Sequence, residues 1–210
     1  MTYLLIILYA ITLVYFALSE RVKKFIWILS IQGAILFGVV LFSLNKIELF
    51  DFLFILLETI LVKSIVIPWF LNKVRKHNNL KREHEPYVPV FFSLIMVVLI
   101  LLISFVLSNY LNNSQMRAQY FTVAIASVLF GIYFIITHKN IFSHVVGYLI
   151  IENGIFLLTL AVGSVNPLMV NLAVLLDVFM GVLVLGIFIN HIGDTFSSVK
   201  SEHLSKLKDN

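Results

Sequence analysis

From Val90 to Leu107 the chain reads VFFSLIMVVLILLISFVL, without a single charged side chain. Pro86 and Pro89 stand just before this stretch and mark a helix start. The apolar run extends over 88–111, and a helix needs about 20 mostly apolar residues to cross a bilayer. Its residues are apolar all round the helical wheel, the pattern of a helix set in hydrocarbon rather than on a soluble core. Six further runs share this character, at approximately 2–18, 25–44, 51–71, 120–137, 142–163 and 167–192. Strand-like alternation is absent, which argues against a transmembrane barrel. The expected fold is all-α: a polytopic membrane protein with about seven transmembrane helices.

Composition leads to the same class. Of 210 residues, 60% are hydrophobic and 12% charged, against roughly 45–50% and about 25% in an average soluble domain. Too few charges remain to coat a soluble surface, and the mean hydropathy is +1.02. Soluble enzyme, disordered and collagen-like classes are excluded. There is no Cys, so disulfides, thiolate zinc sites, iron–sulfur ligation and Cys nucleophiles are excluded within this chain. The net charge of +4 reads as basic cytoplasmic loops, with no nucleic-acid partner implied.

The first run has no basic residues before Leu4 and no small-x-small cleavage site after it. Its basic residues, Arg21, Lys23 and Lys24, follow it. It is expected to be a retained helix with an outside N-terminus. Inner loops then hold these three, Lys73, Arg75, Lys76, Lys81, Arg82, Lys139, Lys200, Lys206 and Lys208, while outer loops hold only Lys46 and Arg117. This asymmetry of twelve to two predicts N-out, C-in. The polar segment Asn72–Tyr87 carries a basic cluster suited to lipid headgroups or a docking partner. A second break at Asn112–Gln119 divides the chain into a four-helix part (1–115), a three-helix part (116–194) and a cytoplasmic tail (195–210).

Four ionisable side chains fall inside the expected spans: Glu58 and Lys63 in the third, Glu152 in the sixth and Asp177 in the seventh. All lie within roughly 5 Å of mid-span at about 1.5 Å rise per residue. Each charge at that depth costs about 2.5–3.5 kcal/mol, so pairing, neutralisation or water must accompany them. Burial disfavours the charged form of carboxylates and amines alike, so such groups exchange protons near neutral pH. A proton or cation path is one reading. A set of salt bridges holding helices together is the other.

The surrounding residues extend the pattern. His144, Tyr148 and Glu152 are spaced four apart, with Thr159 seven beyond, a slowly drifting polar stripe on one helix. His titrates near physiological pH, and His144 sits at the inner end. His191 lies fourteen residues after Asp177, on nearly the same face, and Gly181 and Gly186 permit close helix approach. On the third helix Thr59 precedes Lys63 by one turn, and Asp51 precedes Glu58 by two. Pro68 removes the α-helical bond to the Ser64 carbonyl and predicts a kink. His144 and His191 as haem ligands is a weak reading, and no P-loop, dinucleotide fingerprint or HExxH motif occurs. No cofactor is expected in this chain.

Gly147-Tyr148-Leu149-Ile150-Ile151-Glu152-Asn153-Gly154, preceded by His138-Lys139-Asn140-Ile141, resembles component E of hydrogenase-4, a membrane subunit of formate hydrogenlyase-type complexes. Leu176-Asp177-Val178-Phe179-Met180-Gly181-Val182-Leu183 and the pair Lys63 and Pro68 match the same pattern. Helices five to seven are also similar to the small K subunit of complex I and its antiporter relatives. Asp177 stands where that family has Glu, and Glu152 lies about one turn later than its second-helix glutamate. The resemblance implies a multi-pass subunit of the inner (plasma) membrane, beside antiporter-like subunits and a cytoplasmic redox module. The metals would belong to partners. On this reading Glu58, Lys63, Glu152, Asp177, His144, Tyr148 and His191 line a proton or cation path, and the chain is a non-catalytic subunit of an oxidoreductase complex. The alternatives are a structural scaffold and a stand-alone secondary transporter. The transporter reading fits poorly, because four helices precede three and only the third run has an internal Pro.

Overall fold

The computed structural model describes residues 1–43, 57–77, 88–111 and 117–162. These are helical, with no strand among them. The elements are α1 (Thr2–Ala17), α2 (Val22–Ser43), a π-helical segment (Leu57–Val66) running directly into α3 (Ile67–His77), α4 (Val90–Tyr110), α5 (Ala118–Thr137) and α6 (Ile141–Ala161). Val22–Phe42, Val90–Tyr110, Ala118–Thr137 and Ile141–Ala161 are each long and apolar enough to cross a membrane, and α1 is a shorter apolar helix. The chain is an all-helical membrane protein. Met1–Val174 forms one compact unit and Leu175–Asn210 a second; every described residue belongs to the first.

Local sequence explains where the helices begin. Pro89 is the N-cap of α4, where its missing N–H is no loss. Asn140 caps α6, its side-chain oxygen accepting from the Phe142 N–H at 3.3 Å. Between α1 and α2 the chain turns within a few residues, and Ser19 Oγ donates back to the Tyr15 carbonyl at 2.7 Å.

α5 and α6 share the most extensive interface, and small residues make it possible. A Cβ on Gly131 would stand 2.8 Å from the Gly147 carbonyl oxygen, and one on Gly154 would stand 2.9 Å from Ser127 Cβ. α2 packs on α1, the π-helical segment, α3 and α6. At one end of the bundle Phe16, Phe25, Phe134 and His138 interlock, with Phe25 and Phe134 at 5.2 Å edge-to-face and His138 stacked on Phe134 at 3.9 Å.

α4 is the outermost of these helices. Its buried stripe is Ser93, Val97, Ile100, Ser104 and Ser108, at helical spacing, and its large apolar side chains, such as Phe91, Leu102 and Val106, point outward. The serines therefore lie where protein can satisfy them: Ser93 Oγ pairs with Tyr133 OH at 3.0 Å, and Ser108 Oγ donates to the Ala118 carbonyl at 2.9 Å. On α4 the serines face in and the large apolar side chains face out, the inverse of a soluble helix.

Candidate functional site: a buried ion pair at mid-span

Glu152 and Asn153 are adjacent at the middle of α6, and both are buried. Successive helical residues point about 100° apart, so they serve different neighbours. Glu152 meets Lys63 of the π-helical segment, with Lys63 Nζ 3.0 Å from Glu152 Oε1. Lys63 is 5% exposed and Glu152 4%. The ammonium also lies 4.9 Å from the centre of the Phe156 ring, one turn beyond Glu152 on the same face. The cation thus sits between a carboxylate and an aromatic face on one helix, two attractions that hold in a medium of low dielectric. The separation is that of a charge contact, but its angles are not those of a hydrogen bond. Among the described residues neither Glu152 oxygen accepts a hydrogen bond.

Asn153 turns to α2. Its Nδ2 donates to Gln32 Oε1 at 3.2 Å, Gln32 Nε2 donates to Thr12 Oγ1 at 2.8 Å, and Thr12 Oγ1 donates to the Tyr9 carbonyl at 2.6 Å. The direction of this relay is forced. The Thr12 hydroxyl spends its proton on a carbonyl, so its oxygen must accept, which orients the Gln32 amide and presents its oxygen to Asn153. A second branch joins α1 to α5 and α6: Tyr9 OH lies 3.1 Å from Ser127 Oγ, which donates to the Ile150 carbonyl at 2.9 Å. Gln32, Ser127 and Glu152 all lie near the middle of their helices, so the polar groups form a layer across the bundle rather than a column along it.

The third helix is anchored beside Lys63. Ser30 Oγ donates to the Ser64 carbonyl at 2.7 Å, and Ser64 Oγ donates to the Ser30 carbonyl at 2.8 Å. Pro68 has no N–H to offer that Ser64 carbonyl; the Ser30 hydroxyl takes its place. The expected disturbance at Pro68 takes the form of a change from π- to α-helix between Val66 and Ile67. Ten residues of π-helix is long for a conformation that usually lasts one turn and that often marks functional sites.

Among the described residues, Glu152 is the carboxylate that pairs with Lys63. Thr59 is fully buried in the same segment. The side chain of Glu58, and Asp51, Asp177 and His191, lie outside the described residues, as does the seventh run. The stripe expected along α6 is not continuous. Tyr148 is 45% exposed, His144 Nε2 donates to the His138 carbonyl at 2.8 Å, and Thr159 Oγ1 donates to its own helix at the Phe156 carbonyl at 2.7 Å. The reason is geometric: each step of four overshoots a full turn by about 40°, enough to carry Tyr148 outside while Glu152 stays in. Among the described residues no three His, Asp or Glu gather where they could hold a metal ion.

Gln32, Asn153, Thr12, Tyr9 and Ser127 are buried polar groups that the pattern of charged residues does not point to. Gln32 and Asn153 had a readable signal: amides inside apolar runs, each with four hydrogen-bonding positions to satisfy away from water.

No family model matches the chain, and no solved structure matches it. The chain is similar to the uncharacterized protein Rv0085 of Mycobacterium tuberculosis, with 29% identity over 155 residues that span 70% of this chain and 69% of that protein.

Proposed function

We propose that this chain is a non-catalytic membrane subunit of a redox-coupled, complex-I-like complex of the hydrogenase-4 type, and that its mid-span charges belong to a proton or cation path. In this reading it has seven spans with the N-terminus outside and the C-terminus inside, lies in the inner (plasma) membrane, and packs beside antiporter-like subunits near a cytoplasmic redox module. The observation that supports the reading most is the Lys63–Glu152 pair. Replacing a buried pair with apolar residues is often neutral or stabilising by about 1–4 kcal/mol, so stability alone gives little reason for it. A buried carboxylate whose contact with Lys63 lacks hydrogen-bond geometry is suited to exchange a proton. Protonation of Glu152 would release Lys63 from its counter-charge, and a field or conformational change from the redox partner would drive that exchange in one direction.

The scaffold reading draws on the same contact, because a 3.0 Å ion pair between two helices also holds them together. One experiment separates the two. The tagged chain is purified from its own membranes and its co-purifying subunits are identified; Glu152→Gln and Asp177→Asn are then compared with wild type in that complex. The expected outcome is normal assembly, retained redox activity with artificial acceptors and lost ion pumping. Pumping at the wild-type rate in both variants would leave the scaffold reading, and the absence of redox subunits among the partners would reject the complex.

A further inference from the structure

We infer that one turn of α2 is the device that sets the Lys63–Glu152 separation, with Ser30 and Gln32 as positioning residues for the pair. What the pair does rests on the function proposed above; that α2 positions it does not. Neither residue is ionisable and neither touches the charged atoms in any contact described, yet each holds the backbone of one partner.

On the Lys63 side the hold is double. Ser30 and Ser64 exchange hydrogen bonds at 2.7 and 2.8 Å. Gly33, one turn after Ser30, lets the two backbones approach so closely that a Cβ there would stand 3.1 Å from both the Lys63 carbonyl carbon and the Ser64 nitrogen. Those contacts are with backbone, which cannot swing aside as a side-chain tip can. On the Glu152 side the hold is the amide bond from Asn153 to Gln32, one residue along α6 from the carboxylate. Gln32 is itself held by Thr12 of α1, so it does not rotate freely. Ser30 and Gly33 face the π-helical segment, and Gln32, about 200° round from Ser30, faces α1 and α6. One short stretch of one helix thus fixes both backbones from which the charged side chains extend.

Lys63 has a long, flexible side chain, and such a chain reaches many positions unless its root is held. The Glu152 oxygens have no hydrogen bonds among the described residues to keep the carboxylate in place. The neutral groups on α2 therefore help to specify the 3.0 Å contact from behind, through the two backbones.

The test uses the full-length chain in its native membranes and dicyclohexylcarbodiimide, an apolar reagent that adds to protonated buried carboxyl groups, with adduct at Glu152 measured by mass spectrometry of its peptide. The Lys63 ammonium, 3.0 Å from Glu152 Oε1, competes with the reagent for that carboxyl group. Lys63→Met should speed labelling strongly. Gln32→Met, which keeps volume and loses both amide bonds, and Ser30→Ala should each speed it by about threefold to tenfold, in the lower part of the range of coupling between groups in one network. In the Lys63→Met background the same substitutions should add nothing, because the partner they position is gone. A merely structural role predicts the same factor in both backgrounds. Wild-type labelling in folded Gln32→Met and Ser30→Ala overturns the inference, as does an equal increase with and without Lys63. Should Gln32→Met fail to insert, Ser30→Ala carries the same cycle. Labelling requires no partner complex, so the two ideas fail separately: coupled labelling with undisturbed pumping in Glu152→Gln rejects the ion path alone, and uncoupled labelling with lost pumping rejects the positioning alone.

Discussion

Ser30 and Ser64 donate to each other's carbonyl across two helices, at 2.7 and 2.8 Å, and the two bonds are not equivalent. The Ser30 carbonyl sits inside a regular α-helix and has a backbone donor of its own. The Ser64 carbonyl lies four residues before Pro68 and has no α-helical donor. Ser30→Ala therefore takes a hydroxyl donor from the part-buried Ser64 carbonyl, a loss toward the low end of about 1–3 kcal/mol. Ser64→Ala removes one interhelical bond, and such bonds average about 0.6 kcal/mol in a bilayer. Thermal unfolding in detergent should rank Ser30→Ala clearly below Ser64→Ala. Equal losses would mean that the Pro68 break leaves no unmet carbonyl.

The glycines give a graded series. Alanine at Gly131 would put its Cβ 2.5 Å from Ile151 Cγ1 and 2.8 Å from the Gly147 carbonyl oxygen, against backbone. Alanine at Gly38 would meet only the tip of Leu5, at 3.1 Å from Cδ1, which can turn away. Overpacking of the first kind costs about 1–3 kcal/mol. Gly131→Ala should lower the unfolding temperature of the purified protein by several degrees, and Gly38→Ala should leave it near wild type. The reverse order would show that α5 and α6 are not packed through their glycines.

Removing one charge of the Lys63–Glu152 pair should cost more than removing both. Lys63→Met leaves a buried carboxylate without its counter-charge, a loss of about 3–5 kcal/mol if it stays ionised, and less if it takes up a proton instead. Lys63→Met with Glu152→Gln removes the charge problem and should regain most of that loss. The check is a double-mutant cycle by thermal or denaturant unfolding in detergent. Additive losses would mean that the two side chains do not feel each other.

Much of the helical framework was legible from hydrophobicity, because hydrocarbon burial is a property of each run by itself. The run 88–111 became α4, 120–137 became α5 and 142–163 became α6, each within about two residues of the observed ends. α2 begins at Val22, three residues before its apolar run, because Lys23 and Lys24 are exposed and leave the helix unbroken; long basic side chains at a helix end reach the polar interface. The π-helix was not legible. Pro68 marks a disturbance in the third run, but a missing N–H does not say whether the helix kinks or rewinds. In the site, Lys63 and Glu152 stood out because a buried charge is costly wherever it sits. Gln32 and Asn153 did not stand out because a neutral amide is costly only if unpaired, and pairing is a tertiary fact. The stripe through Tyr148 is a related case: spacing gives the angle on the wheel, and packing decides which of its members are buried.

The orientation can be tested at the two ends of α5, and the absence of Cys means that a single introduced thiol reports without background. Arg117 precedes α5 and Lys139 follows it, both exposed. Between them run the residues Ala118–Thr137, about 30 Å of helix at 1.5 Å per residue, the thickness of the hydrocarbon core. If α5 crosses as its length allows, the two positions emerge on opposite faces of the membrane. The proposed N-out, C-in arrangement puts Lys139 inside and Arg117 outside. Single variants Arg117→Cys and Lys139→Cys are treated with a membrane-impermeant maleimide in intact cells and in inverted vesicles. Arg117→Cys should label in intact cells and Lys139→Cys only in inverted vesicles. Because either substitution removes a basic residue, Ala118→Cys and Asn140→Cys serve as versions with unchanged charge and should give the same answer. The opposite pattern would reverse the proposed N-out, C-in arrangement, and labelling of both positions from one side would mean that α5 does not span the membrane.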